Sequence, residues 1–184
     1  MSKPVTITKE MIDDAAFELV RREGLDALTA RGLAKEMKCS SKPIFRTYAS
    51  MDALKDQVIK TATIFMNKFV YNYDLSEFPF MNFGLGYILF ARNEKHIFKI
   101  VAIDNMAKRS FFETQTLHAL AERMTAEMEE EELETIDVAE VEETITNIVI
   151  YSYGLATLAY HDLLDMSIDQ LVDKYKRFFD RLTT

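Results

Sequence analysis

The chain is poor in the residues that interrupt helices and in the residue that locks small folds. Its 184 residues include five glycines and three prolines, and long stretches contain neither. Both residues are disfavoured in helix interiors, so their scarcity points to an all-helical chain with no sheet to explain. A single cysteine, Cys39, excludes an intrachain disulfide and supplies no thiolate cluster for zinc. That fits a reducing cytoplasm. No N-terminal apolar stretch resembles a signal peptide, and no apolar run approaches the roughly eighteen residues of a membrane span. The expectation is a soluble cytoplasmic protein without a membrane partner. His96, His118 and His161 fall in no metal-ligand spacing, so neither a metal nor a cofactor is expected. Glu-x-x-His pairs, a glycine-rich phosphate loop and a nucleophile motif are all missing as well, which argues against an enzyme.

Positive charge is also scarce overall, with 22 Lys and Arg against 30 Asp and Glu. Its distribution is uneven. Residues 1 to 60 hold eleven basic against nine acidic side chains, and the remainder holds eleven against twenty-one. Attraction for a polyanion is therefore concentrated near the N-terminus, and local charge governs docking. Hydrophobic residues make up 48% of the chain, with thirteen Phe, eight Tyr and ten Met, enough for a sizeable core.

Apolar periodicity places the helices. Ile12, Ala15, Ala16, Leu19 and Val20 form one face of a first helix, and Gly24 followed by Leu25 is a usual helix stop. Thr29 can cap a second helix at about 29 to 37, with Leu33, Ala34 and Met37 facing inward. Lys38 and Cys39 leave room for a turn. Ser40 can cap a third helix at about 41 to 48, whose first turn accommodates Pro43. Ile44, Phe45 and Tyr48 are its apolar side, while Ser41, Lys42 and Arg46 are free to face outward. Two short helices joined this way, the second basic, suit the DNA major groove. A fourth helix runs from a Ser50 cap to about Tyr73, and residues 74 to 79 break it. Further helices are expected at about 80 to 93, 95 to 105, 109 to 131, 137 to 164 and 168 to 182.

In the order Gly24-Leu25, Leu28-Thr29, Leu33-Ala34, Ser40, Ile44-Phe45, Tyr48 and Ser50 to Leu54, the chain resembles TetR-family transcriptional regulators. The match covers about residues 8 to 60, and Tyr87 to Phe98 resembles the aromatic start of the family's regulatory domain. The resemblance implies a helix-turn-helix DNA-binding domain at residues 1 to 50. It is fused to a larger helical regulatory and dimerisation domain at residues 51 to 184. It further implies a homodimer, in most cases a repressor, bound to a palindromic double-stranded operator and released by a small-molecule effector. Contacts to DNA are then expected from Thr29, Ser40, Ser41, Lys42, Pro43, Phe45, Arg46, Thr47, Tyr48 and Lys55. The chain departs from the family pattern at three places. Lys38 stands where the turn usually has Gly, Phe45 where a Tyr often bonds a phosphate, and Met51 where a phosphate-contacting Lys is common.

The helix at about 144 to 160 is apolar on more than one face, so burial on several sides is expected. The resemblance implies that it and the last helix build the dimer interface, with Ile148, Ser152, Leu155, Ala159, Leu171, Tyr175 and Phe178 in contact with the partner. It also implies a site for a small apolar or aromatic effector, with Tyr87, Phe90, Met106, Phe111 and Tyr151 as candidate lining and Asn147 as a polar handle. Ordinary core packing explains each of these residues too. Residues 127 to 143 carry ten acidic side chains in seventeen positions. A solvated helix end accounts for them, and so does an all-helical interaction module that uses this stretch to bind a basic partner.

Overall fold

The computed structural model describes residues 6–74, 79–104 and 138–182. Every regular element among them is helical. In chain order these are α1 (Lys9–Glu23), α2 (Ala30–Glu36), α3 (Lys42–Thr47), α4 (Met51–Tyr71), α5 (Pro79–Asn93), α6 (Lys95–Phe98), α7 (Val138–Tyr160) and α8 (Ile168–Leu182). The helix expected at 109 to 131 lies outside the described residues, as does most of the acidic stretch.

The chain divides into two compact units. The first comprises residues 1–66 together with 96–105, and the second comprises 67–95 with 106–184. The sequence places a division at residue 50; the boundary between the compact units falls after Met66, in the last third of α4, whose first part buries Leu54, Val58 and Ala62. Two helices end earlier than the sequence pattern predicts. α4 stops at Tyr71, and α7 stops at Tyr160, just before Asp162 adopts a positive φ of 58°.

In the first unit, α1 begins where the Thr8 hydroxyl accepts the Met11 amide at 3.3 Å and ends where the Gly24 amide bonds the Val20 carbonyl at 2.8 Å. Gly24 has φ +87°, a conformation closed to most side chains, which is why the chain can leave α1 sharply. A 3-10 turn at Leu25–Ala27 leads to Thr29, whose side chain accepts the Gly32 amide at 3.0 Å and opens α2 as its sequence position suggests. Ile12, Ala16, Leu19 and Val20 point inward from α1, Leu33 from α2 and Ile44 from α3. Each large aliphatic side chain buried in this way contributes roughly 1.5–3 kcal/mol. Ile97, Phe98 and Ile100 complete the same unit from far along the chain. There α6 widens into a π-helical turn at Lys99–Ile103, closed by the Asp104 amide on the Lys99 carbonyl.

In the second unit α5 and α7 pack along one another, and α8 packs on α5. Met81, Leu85 and Ile88 meet a core that includes Ile145, Ile148 and Leu155. Ser167 and Gln170 form a reciprocal capping box at the start of α8: the Gln170 amide donates to the Ser167 hydroxyl, and the Ser167 amide donates to the Gln170 side chain. The segment before it is held by Arg92, whose guanidinium donates to the Leu164 and Met166 carbonyls at 3.2 and 2.8 Å. Tyr175 is fully buried and its hydroxyl donates to Ser152, whose own hydroxyl donates to the Ile148 carbonyl.

Candidate nucleic-acid interface

Helices α2 and α3 form a helix-turn-helix. The turn between them bends through Lys38, which takes φ +51°, so this lysine occupies the left-handed position where the resemblance implies a glycine. The Cys39 amide bonds the Ala34 carbonyl at 2.9 Å, and the half-buried Cys39 thiol donates to the Ser40 carbonyl. α3 then opens one residue later than expected. Ser41 precedes its first residue with helical φ and ψ and makes no side-chain cap, so neither Ser40 nor Ser41 caps as the sequence suggested. A capping serine normally sits in extended backbone, whereas here the chain is already coiled when it leaves the turn.

One face of α3 is turned to solvent. Lys42 and Arg46 are exposed and Phe45 is 53% exposed, while Ile44 is fully buried on the opposite side. Ser41 and Pro43 are half-buried at its start, and Ser40 is exposed. From Met37 to Met51 the chain contains no Asp or Glu. The exposed face is therefore cationic without local compensation. Thr29 and Thr47 are exposed too, although the Thr47 hydroxyl donates to the Pro43 carbonyl at 3.1 Å within the helix. Lys55 lies on α4, half-exposed, 3.7 Å from the Asp52 carboxylate.

Tyr48 differs most from its sequence expectation. It is 8% exposed, and its hydroxyl donates to the Asp13 carboxylate of α1 rather than facing outward. Lys9 pairs with Asp13 at 2.6 Å and lies over the Tyr48 ring at 5.2 Å. These three side chains brace the end of α3 against α1. Burial, and secondly the bond to Asp13, raise the Tyr48 phenol above its ordinary value, and bonding to Asp13 raises the Lys9 ammonium. Lys9 and Asp13 were not singled out from sequence. A second link joins the far end of α1 to α2, where Arg22 meets Glu36 at 2.8 Å; the pair is exposed and adds little.

Tyr48→Phe and Asp13→Asn are each expected to destabilise the first unit by about 1.5 kcal/mol, the usual cost of losing a bond to a charged partner. Urea titration checks this. The phenol's raised value also fixes a pH dependence, because the native state holds its proton more tightly than the unfolded chain. The associated stability is complete below the ordinary tyrosine value near 10 and is lost as pH rises through the higher folded value. Tyr87 and Tyr175, both raised mainly by burial, act in the same direction. Stability that falls above pH 10, with a smaller fall in Tyr48→Phe, is the expected result.

The second unit alters two groups of expectations. Ile148, Ser152, Leu155, Ala159, Leu171 and Tyr175 are all buried by the chain's own helices, and Phe178 stacks on Tyr151 at 3.9 Å. The first six of these residues build the unit's interior and are not a free surface for a partner, while Phe178 is half-exposed. The apolar periodicity had marked the inward face of α7. What α7 leaves exposed is Ile150 (53%) and Leu158 (42%), with Gly154 between them and open space above it. Of the effector candidates, Phe90 is fully buried edge-to-face against Phe69, which makes it core. Tyr87, Asn147 and Tyr151 are half-buried, and Tyr153 lies close enough to Tyr87 to add to the rise that burial gives its phenol. Met106 and Phe111 lie outside the described residues. Among the described residues there is no group of three or more side chains suited to a metal, and no helix long and apolar enough to cross a membrane.

A helix-turn-helix unit followed by a larger helical unit is the architecture of TetR-like transcriptional regulators. The fold matches the crystal structure of a TetR-like transcriptional regulator from Rhodococcus sp. RHA1, with a TM-score of 0.59 over 94% of this chain and 93% of that one, at 14% identity. No protein-family model matches the chain, and no curated protein matches it in sequence.

Proposed function

We propose that this protein is a cytoplasmic, homodimeric transcriptional regulator that binds a palindromic DNA site through α3 and leaves it when a small molecule occupies the second unit. One observation carries the reading: α3 holds Lys42 and Arg46 outward on a stretch free of acidic residues, while its far end is braced to α1 through Tyr48 and Asp13. A cationic helix at a fixed angle is what major-groove docking needs. Thr29, Ser40, Ser41, Pro43, Thr47 and Lys55 are the supporting contacts to DNA. The likeness of fold to a TetR-like regulator supports the same assignment. Selection of genomic fragments by the purified protein, followed by titration on the enriched duplex at two salt concentrations, tests it. A palindromic site occupied by two protomers and weakened steeply by salt is expected. No enrichment at low salt by folded protein would favour the interaction module instead.

For the second copy, the exposed stripe of α7 is the surface we assign. Ile150, Gly154 and Leu158 are four residues apart and share a face, and the missing side chain at Gly154 lets another backbone come close. The double variant Ile150→Glu, Leu158→Glu is expected to sediment as a monomer with its helical content intact. A dimer that persists in this variant would place the interface elsewhere.

Tyr87, Asn147 and Tyr151, with Met106 and Phe111, are the residues we assign to an apolar or aromatic effector. Its binding would repress DNA affinity by favouring the protein state that binds DNA poorly; a coupling of about 1–3 kcal/mol gives a 5- to 150-fold change. In its absence the protein acts as a repressor.

A further inference from the structure

Phe45 holds a large apolar ring in water on the face where DNA is proposed to lie. It is 53% exposed, and Lys42 and Arg46 share its side of α3. Of the hydroxyls that follow it, Thr47's donates to the Pro43 carbonyl of its own helix, and Tyr48's is buried on Asp13. On the side of α3 that Phe45 occupies, the outward chemistry is therefore two cations flanking a ring with no hydrogen-bonding group. Such a ring can bond neither a phosphate nor a polar base edge. The major groove displays one apolar group, the thymine C5 methyl, and phosphates on both sides match the flanking cations.

We propose that Phe45 is a specificity-determining residue that reads a thymine through its C5 methyl group. This rests on α3 being the DNA-reading helix. The absence of any acidic residue from Met37 to Met51 favours a polyanion over an acidic-free protein surface as the occupant of this face.

Deoxyuridine tests the idea because it removes the methyl group and leaves every hydrogen-bonding group in place. The enriched duplex is resynthesised with each thymine replaced in turn, in both half-sites, and titrated with the wild-type protein, Phe45→Ala and Phe45→Leu. At one position the wild-type protein should bind about fourfold more weakly per methyl removed. Phe45→Ala should bind the thymine and deoxyuridine duplexes equally, and Phe45→Leu should keep part of the discrimination. Circular dichroism checks that the variants are folded. The inference is overturned if no position responds to deoxyuridine, if Phe45→Ala responds as strongly as the wild type, or if the enriched half-sites contain no thymine. Failure to enrich any duplex removes the DNA-binding reading itself and this inference with it, a result distinct from binding without methyl discrimination.

Discussion

Alanine at both Lys42 and Arg46 is expected to weaken binding to the selected duplex about 100-fold and to flatten its salt dependence. Both side chains stand exposed on α3, so their loss leaves Ile44 and the rest of the core in place. An arginine that reads a base edge is worth about 1–3 kcal/mol, and a lysine on a phosphate removes about one unit from the salt slope. Taken at the low end these amount to roughly 1.5 kcal/mol per reading helix, so the two helices of the dimer give about 3 kcal/mol, or two powers of ten in Kd. Titration at two salt concentrations separates the contributions: Lys42→Ala should change mainly the slope, and Arg46→Ala mainly the preference among sequences. Unchanged affinity in the double variant, with its helical content retained, would show that another surface contacts DNA.

The second large effect is on stability. A Cβ added at Gly84 would lie 2.7 Å from Tyr175 Cε1, and nearer still to Cζ and Oη. The ring cannot swing away, because it is fully buried, packs edge-to-face on Tyr151 and bonds Ser152 through its hydroxyl. Gly84→Ala is therefore expected to destabilise the protein by about 3 kcal/mol, at the upper end for a single added methyl in a packed core. That corresponds to a fall in Tm of roughly 6–12 °C for a chain of this size. Tyr175→Phe combined with Gly84→Ala should recover part of the loss, since the nearest atom is then gone. Gly154→Ala is the contrast, as nothing lies within 4 Å of its added Cβ. There the change should be neutral or stabilising for the isolated unit, in line with alanine's higher helix propensity. Thermal melts of the three variants distinguish a steric effect at Gly84 from a general cost of replacing helical glycines.

The helix-turn-helix was readable because its signals are local. Thr29 caps the helix that follows it, Gly24 ends the helix before it, and Ile44 repeats the inward period of a helix, all within a few residues of the bonds they make. The brace between Asp13 and Tyr48 spans 35 residues, and nothing near either residue announces the other. For the same reason the apolar period places Tyr48 on the inner side of α3 while the resemblance gives its hydroxyl to DNA. The assignment of Ile148, Ser152 and Leu155 to a partner failed on a different point. An apolar stripe records that a face is buried, but carries no record of whether the covering helix belongs to the same chain or to another. Here α5 packs along the face, and Tyr175 and Phe178 of α8 meet Ser152 and Tyr151. The π-helical turn at Lys99–Ile103 left no sign in the apolar period, which continues through it with Ile100 and Ala102 buried.

The discontinuity of the first unit bears on how the protein is made. Ile97, Phe98 and Ile100 belong to the same unit as residues 1–66 but are synthesised about thirty residues later. At roughly 5–20 residues per second, the nascent helix-turn-helix waits some two to six seconds on the ribosome before its own core can close. A message cut short after α4 thus yields a reading head with part of its interior missing.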